Sequence, residues 1–391
     1  MDFSDTSSEA AYRTRARAWL EANAPKRGTG RTYKDDTSLL NAARRWQAQK
    51  AAAGFAAITL PQNYGGGGGS AIEQVIYRQE EARFDAPFGV YEIGLGMCIP
   101  TLIELGSDVI KDRYARPAIC GEEIWCQLFS EPSAGSDLAA LRTRAEPVVG
   151  GWRVNGQKLW STGAQFSDFG LLLARTDPDA PKHGGLTMFI INMKAPGVEV
   201  RPIKQMTGES EFNEVFFTDV FIPDDHRLTA PGGGWKGAMT TLMFERLNVG
   251  ADIGLIDTLG LLDVLGADSF SDGLARDRLA HWYLVDRGLK LLGYQAITAL
   301  AKGQMPGPEQ SITKLYLGQQ AQEMADFALD QRAESGALTG KDLGDWSAIE
   351  RAWSFGAAMR IAGGTDEILR NIIAERVLGL PPEPRADKGA R

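Results

Sequence analysis

At 391 residues the chain is about twice the usual single-domain length, so two or three domains around a substantial core are expected. Hydrophobic residues make up 43% and charged residues 24%, which excludes a wholly disordered or collagen-like chain. The formal net charge of -8 and the lack of a long Lys/Arg block argue against a nucleic-acid partner.

The opening residues 1–10 carry Asp2, Asp5 and Glu9 and lack the basic and apolar regions of an export signal, so a cytoplasmic location is expected. No apolar run approaches the roughly 18 residues needed to span a bilayer. Helical spacing of apolar residues over 11–24, 42–53, 71–84 and 101–114 predicts an N-terminal helical domain. Within it, Gly65 to Gly69 form a run of five glycines with no Lys-Ser/Thr behind them, which predicts a mobile turn rather than a phosphate cradle.

Short β-rich runs follow at 152–154, 171–174, 187–191, 198–202 and 214–222, and Asn155-Gly156 predicts a tight hairpin turn. Beyond the loop 231–234, amphipathic stretches return at 235–265, 273–301, 310–333, 345–362 and 366–378, and predict a helical bundle. The tail 381–391 reads as a loose terminus. The expected domains are 1–123 (helical), 124–234 (β) and 235–391 (helical), an α+β protein.

Cys98, Cys120 and Cys126 form no CxxC pair, and His183, His226 and His281 are scattered without ligand spacing, so no disulfide framework and no metal site are expected. A GxGxxG fingerprint is absent, which leaves a nicotinamide-type Rossmann domain without its best signal.

The chemistry concentrates between Trp125 and Leu138, where Ser130-Glu131-Pro132-Ser133-Ala134-Gly135-Ser136-Asp137 packs hydroxyls and small residues beside a proline. Such a loop can bring N–H groups and hydroxyls to an anion or a polar ring edge, and serves equally as an ordinary strand–turn. Together with Asn155-Gly156-Gln157-Lys158-Leu159-Trp160-Ser161-Thr162, however, it closely resembles the acyl-CoA dehydrogenase family. The resemblance continues through Pro61-Gln62-Asn63-Tyr64-Gly65-Gly66, Leu173-Ala174-Arg175-Thr176, Phe244-Glu245-Arg246 and Gly364-Thr365-Asp366-Glu367-Ile368, and covers nearly the whole chain.

That resemblance implies a middle β-barrel-like domain between an N-terminal helical domain and a C-terminal four-helix bundle, with FAD as cofactor. It assigns Gln127, Phe129 and Ser130 to contacts with the isoalloxazine ring. Gly135 and Ser136 fall near the pyrophosphate or the CoA arm, Trp160 and Thr162 flank the ring, and Thr365 belongs to the cofactor site. The implied reaction is α,β-dehydrogenation of an acyl-CoA thioester to the trans-2-enoyl-CoA.

That chemistry needs a base at the α-carbon. Many family members carry a Glu just before the Gly-Thr of a C-terminal loop, where this chain has Gly363. A minority, including isovaleryl-type and long-chain enzymes, supply it from a helix resembling Phe244-Glu245-Arg246-Leu247, which makes Glu245 the candidate base and Arg246 a candidate for the active-site wall. Gly363 keeps an N–H for the thioester carbonyl and leaves room for a bulky, branched or sterol-derived acyl group.

The family's Arg-x-x-Phe-Gly and Gln-x-x-Gly-Gly-x-Gly elements, which hold a neighbouring subunit's FAD, are not recognisable; the nearest stretches are 267–271 and 331–336. A homotetramer, or a heterotetramer with a related subunit, is therefore expected, with an electron-transfer flavoprotein as acceptor. The alternatives are a flavin oxidase or monooxygenase on the same fold, and a non-catalytic partner subunit.

Overall fold

The computed structural model describes residues 5–26, 33, 35–87, 89–248, 256–302, 304, 307–332, 336 and 346–382, with the backbone alone at 246–248, 300 and 301. The described chain forms two compact units, Met1–Gln205 with Glu209–Asn248, and Met206–Gly208 with Val249–Arg391.

The first unit opens with helices α1 (Ser7–Asn23), α2 (Asp36–Ala52) and α3 (Ala71–Glu81). Each starts at a reciprocal capping box, Thr6 with Glu9, Asp35 with Ser38 and Ser70 with Glu73, which satisfies amide groups that the first turn leaves open. Tyr12, Leu20, Trp46, Phe55, Ile76 and Tyr77 close the core between them. The five-glycine run is a held turn, contrary to the expectation of a mobile one. All five amides donate to carbonyls of Gln62, Pro61, Ala57, Leu60 and Ile58, at 2.7–3.2 Å. The turn packs so closely that a Cβ at Gly66 would lie 2.2 Å from the Leu60 carbonyl oxygen.

The predicted helix 101–114 is two helices, α4 (Ile99–Leu105) and α5 (Asp108–Ile119). Gly106 is extended, and Ser107 caps the second helix by accepting from the Ile110 amide. A π-helical turn, Gly94–Cys98, leads into α4.

A seven-stranded sheet follows: β1 (Trp125–Leu128), β2 (Arg144–Val148), β3 (Gly151–Lys158), β4 (Phe169–Arg175), β5 (Leu186–Asn192), β6 (Val198–Pro202) and β7 (Asn213–Pro223). The order is β1-β4-β2-β3-β7-β6, with β5 on β4, and β1 runs parallel to β4. Alternate residues feed two cores. Trp125, Phe129, Leu171, Leu173, Met188 and Ile190 pack against the helices, while Cys126, Leu128, Leu172, Phe189, Val215, Phe217 and Val220 fill the curved interior.

Asn155-Gly156 lies inside β3 rather than at a hairpin turn. There a register shift opposite β7 makes a bulge, and the Asn155 side chain exchanges bonds with Asp219 at 2.9 and 3.0 Å. Glycine is required because a Cβ at 156 would meet Thr143 Oγ1 at 2.5 Å.

The stretch 235–265 likewise divides, into α6 (Gly234–Asn248) and α7 (Thr258–Leu265), with 249–255 outside the described residues. Helix α6 belongs to the first unit, packing on the π-helical turn, α4 and β5. The second unit holds α7, α8 (Gly273–Ala301), α9 (Gln310–Gln331), α10 (Ser347–Met359) and α11 (Asp366–Ile372) around Leu261, Phe270, Trp282, Met324, Phe327 and Ile349. The tail from 383 lies outside the described residues, and no described helix is long and apolar enough to cross a membrane.

Candidate active site

Parallel pairing with β4 fixes β1 so that Trp125, Gln127 and Phe129 share one face. Trp125 Nε1 and Gln127 Nε2 are both buried donors without a hydrogen-bond partner. The Trp125 indole is packed on Tyr114 and Phe169 in the helix-side core, so of the two it is the half-buried Gln127 that can offer its donor to a group from outside the chain.

Past β1 the chain turns at Glu131–Ala134, whose amides and carbonyls bond reciprocally at 3.0 and 3.1 Å. Gly135 and Ser136 stand exposed on the following loop, and a Cβ at Gly135 would meet nothing within 4 Å. The protein's own packing therefore does not demand glycine there.

The end of β3 runs alongside. The Leu159 amide donates to the Ser130 carbonyl at 2.9 Å, a bond between residues 29 positions apart that brings the two sequence segments into one layer. Trp160 then adopts φ 61°, a left-handed conformation rare for a bulky residue, with 54% of its surface exposed and its edge on Phe212 at 5.8 Å between centroids. An exposed indole held in a strained backbone is a mark of a site rather than of packing. Asn213 anchors the next residues: Ser161 N–H donates to its carbonyl at 3.1 Å and its Nδ2 returns a bond to the Ser161 carbonyl at 2.9 Å. Thr162 is half-buried beside them, and the Ser161 hydroxyl is buried without a partner.

Beneath this layer lies a buried ion pair that sequence reasoning missed. Lys158 Nζ donates to Glu131 Oε1 and to the Phe129 carbonyl, both at 2.9 Å, and is wholly inaccessible to solvent. Glu131 also accepts from the amides of Arg142 at 2.6 Å and Thr143 at 2.8 Å. Burial pulls the Lys158 ammonium down to about 8 against the opposing charge of Glu131. For Glu131 burial acts upward, and the Lys158 charge with the amide donors outweighs it, leaving the carboxyl below its usual range.

Glu245 is on α6, half-buried, and shares a helical face with Ala238 and Thr241, both fully buried. The Thr101 hydroxyl donates to that of Thr241 at 3.1 Å, so this face is fastened to α4. The side chain of Arg246 lies outside the described residues.

Gly363 and Thr365 are in the second unit. Gly363 and Gly364 have φ 67° and 105°, and the Thr365 side chain caps α11 by accepting from the Ile368 amide at 3.3 Å. Lys314 donates to the Gly364 carbonyl, and Arg360 pairs with buried Asp366 at 2.6 and 2.7 Å, clamping the loop to α9. In the stretch 267–271, Phe270 is a core residue stacked on Phe327 at 5.5 Å. Residues 333–335 of the other stretch lie outside the described residues.

Orphaned donors on β1, an exposed indole and an open glycine turn fit a planar ring rich in acceptors, with room for an anionic arm. Family models match in series: the acyl-CoA dehydrogenase N-terminal domain over residues 6–122, the middle domain over 126–220 and the C-terminal domain over 232–378. The chain is 36% identical to acyl-CoA dehydrogenase IpdE1 of Mycobacterium tuberculosis, across 96% of this chain and 98% of that protein. It is 38% identical to FadE34 of the same organism over 86% of this chain, which spans about half (46%) of FadE34. Among solved structures, a Tcur3481-Tcur3483 steroid ACAD superposes with TM-score 0.80 at 24% identity, covering 98% of this chain and 100% of that one. The ChsE4-ChsE5 complex from M. tuberculosis gives 0.77 at 25%, covering 97% and 100%. With its helical, sheet and helical domains in this order, the chain belongs to the acyl-CoA dehydrogenase family of oxidoreductases.

Proposed function

We propose that the chain binds FAD and oxidises the Cα–Cβ bond of an acyl-CoA carrying a bulky, branched or sterol-derived acyl group. The observation that carries this reading is the layer formed by Trp125–Ser130 and Lys158–Thr162, where the half-buried Gln127 has an unpartnered amide donor and the Trp160 indole stands exposed. FAD, when bound, supplies the acceptor for the hydride that leaves the β-carbon.

The residues of this chain do the rest. Gln127, Phe129, Ser130, Trp160 and Thr162 orient the ring, and Gly135 and Ser136 admit the pyrophosphate or CoA arm. Glu245 takes the α-proton, and its half-buried position on α6 suits a carboxylate that loses water when substrate fills the site. By the family resemblance, Thr365 is assigned a cofactor contact and the N–H of Gly363 a substrate contact. The lack of a side chain at Gly363, together with the steroid ACAD among the similar structures, supports a bulky acyl group.

Anaerobic mixing of the flavin-loaded protein with straight, branched and sterol-derived acyl-CoAs tests the reading. Bleaching of the flavin absorbance is expected with the bulky thioesters, followed by slow reoxidation in air and fast electron transfer to an electron-transfer flavoprotein. No bleaching with any member of the panel would overturn it, and rapid peroxide formation would identify an oxidase.

A further inference from the structure

A charged pair almost entirely withdrawn from solvent is costly in a sheet domain unless it holds something in place, because desolvating two ions usually cancels what their attraction contributes. Lys158 and Glu131 join the ends of β3 and β1 at the point where both segments face the candidate ring site. The ammonium spans them by donating to Glu131 and to the Phe129 carbonyl. Glu131 is itself fixed by the amides of Arg142 and Thr143, so the pair is anchored to the segment leading into β2 as well.

The Phe129 carbonyl and the Ser130 N–H belong to one planar trans peptide and point in opposite directions. A cation on the carbonyl therefore turns the Ser130 N–H away from Lys158 and polarises it into a stronger donor. The Ser130 carbonyl is held by the Leu159 amide, so the residue cannot swivel, and its N–H has no protein acceptor among the described residues.

We propose that Lys158 and Glu131 are a positioning pair that presents the Ser130 N–H as a strengthened, fixed donor to the flavin ring and sets the ring's reduction potential. The proposal rests on the FAD reading above and adds residues that touch neither ring nor substrate. A donor backed by positive charge favours the electron-rich reduced ring over the oxidised one, and removing the cation should lower the potential. Removing the carboxylate while keeping the ammonium should raise it or leave it in place. A role confined to stability predicts no such difference of sign.

The test uses the full chain reconstituted with FAD at pH 6.5, where the ammonium is retained. Measured quantities are FAD affinity by fluorescence quenching, the visible flavin spectrum, the midpoint potential by dye equilibration, and melting of the flavin-free protein. Lys158→Met should bind FAD at least tenfold more weakly and show a more negative potential, about 30 mV for each tenfold change in the ratio of reduced to oxidised binding. Glu131→Gln should show an unchanged or more positive one. If either single variant fails to fold, the double variant Lys158→Met/Glu131→Gln, which buries no lone charge, carries the test and should melt normally yet bind FAD weakly at a lowered potential. Unchanged affinity, spectrum and potential, or shifts of the same sign in both single variants, would overturn the proposal while leaving the FAD reading intact. Failure of the wild-type chain to take up FAD would overturn both.

Discussion

Trp160 carries a backbone cost that its own packing does little to offset. A non-glycine residue in the left-handed region gives up roughly 1 kcal/mol, and its indole remains largely in solvent. Trp160→Gly removes strain, a modest edge contact with Phe212 and some chain stiffness, which nearly cancel. The flavin-free variant should therefore melt within about 1 kcal/mol of wild type while retaining FAD poorly. Equal loss of stability and flavin would assign Trp160 to packing instead. Ser130→Ala and Thr162→Val should likewise loosen or misorient FAD without unfolding the chain, as read by flavin content and spectrum. For Glu245 the decisive change is Glu245→Gln, which keeps size and hydrogen bonding but deletes the base. FAD and acyl-CoA should still bind, and single-turnover flavin reduction should fall by about 10²–10⁴-fold or more. Near-normal reduction would show that another carboxylate takes the proton.

At the scale of elements, what the sequence revealed tracked burial on both faces of a strand. Runs such as 171–174 and 188–191 are continuously apolar because β4 and β5 have cores on either side, and they are easily read. Strand β2 buries fully only Ala145 among Arg144, Glu146, Pro147 and Val148, so no alternation marks it. Lys158 was passed over for a similar reason: a charged residue at a strand end suggests solvent, and its burial depends on Glu131, which only the fold brings near. The close approach at Gly156 is also set by a neighbouring segment rather than by local composition, whereas Gly106-Ser107 is a local stop-and-cap signal.

Two element-scale predictions follow from such contacts. Gly156→Ala places a methyl 2.5 Å from Thr143 Oγ1 and 2.7 Å from its Cα, and should destabilise the sheet by roughly 1–3 kcal/mol in denaturant melts. Unchanged stability would mean that β2 yields. At the α1–α3 seam, Glu80 accepts from Arg17 at 2.9 Å, Arg13 at 3.2 Å and Arg83 at 3.0 Å. The Arg17 bond leads in holding its carboxyl at about 2, with burial acting the other way. A carboxyl depressed on folding stabilises above its unfolded value near 4.5, and that contribution disappears as pH falls from there towards 2. Glu80→Gln should therefore lower melting at pH 7 by about 1–2 kcal/mol, since the arginines are partly solvated, and the difference should shrink below about pH 4.5 and vanish only as pH reaches about 2. A difference that persists there would remove Glu80 from the acid response.

For the whole molecule the question is what completes the cofactor site. The ring-side segments match the family, whereas the two stretches that would serve a neighbour's FAD depart from it, and Phe270 of one is spent in the core of the second unit. Leu274, Leu284 and Leu291 leave α8 with exposed apolar side chains, a surface suited to another chain. We propose assembly with a related subunit that contributes the missing Arg and Gly-rich elements, so that one FAD would serve each pair of chains. Expressed alone, this chain should hold FAD substoichiometrically and turn over slowly. Co-expressed with such a subunit, it should form a mixed tetramer with about half an FAD per chain. Mass photometry combined with flavin quantitation measures both, and Leu284→Asp on α8 should shift the assembly towards smaller species. A stable, active homotetramer with one FAD per chain would exclude the mixed assembly, because each chain would then have supplied both halves of the site itself.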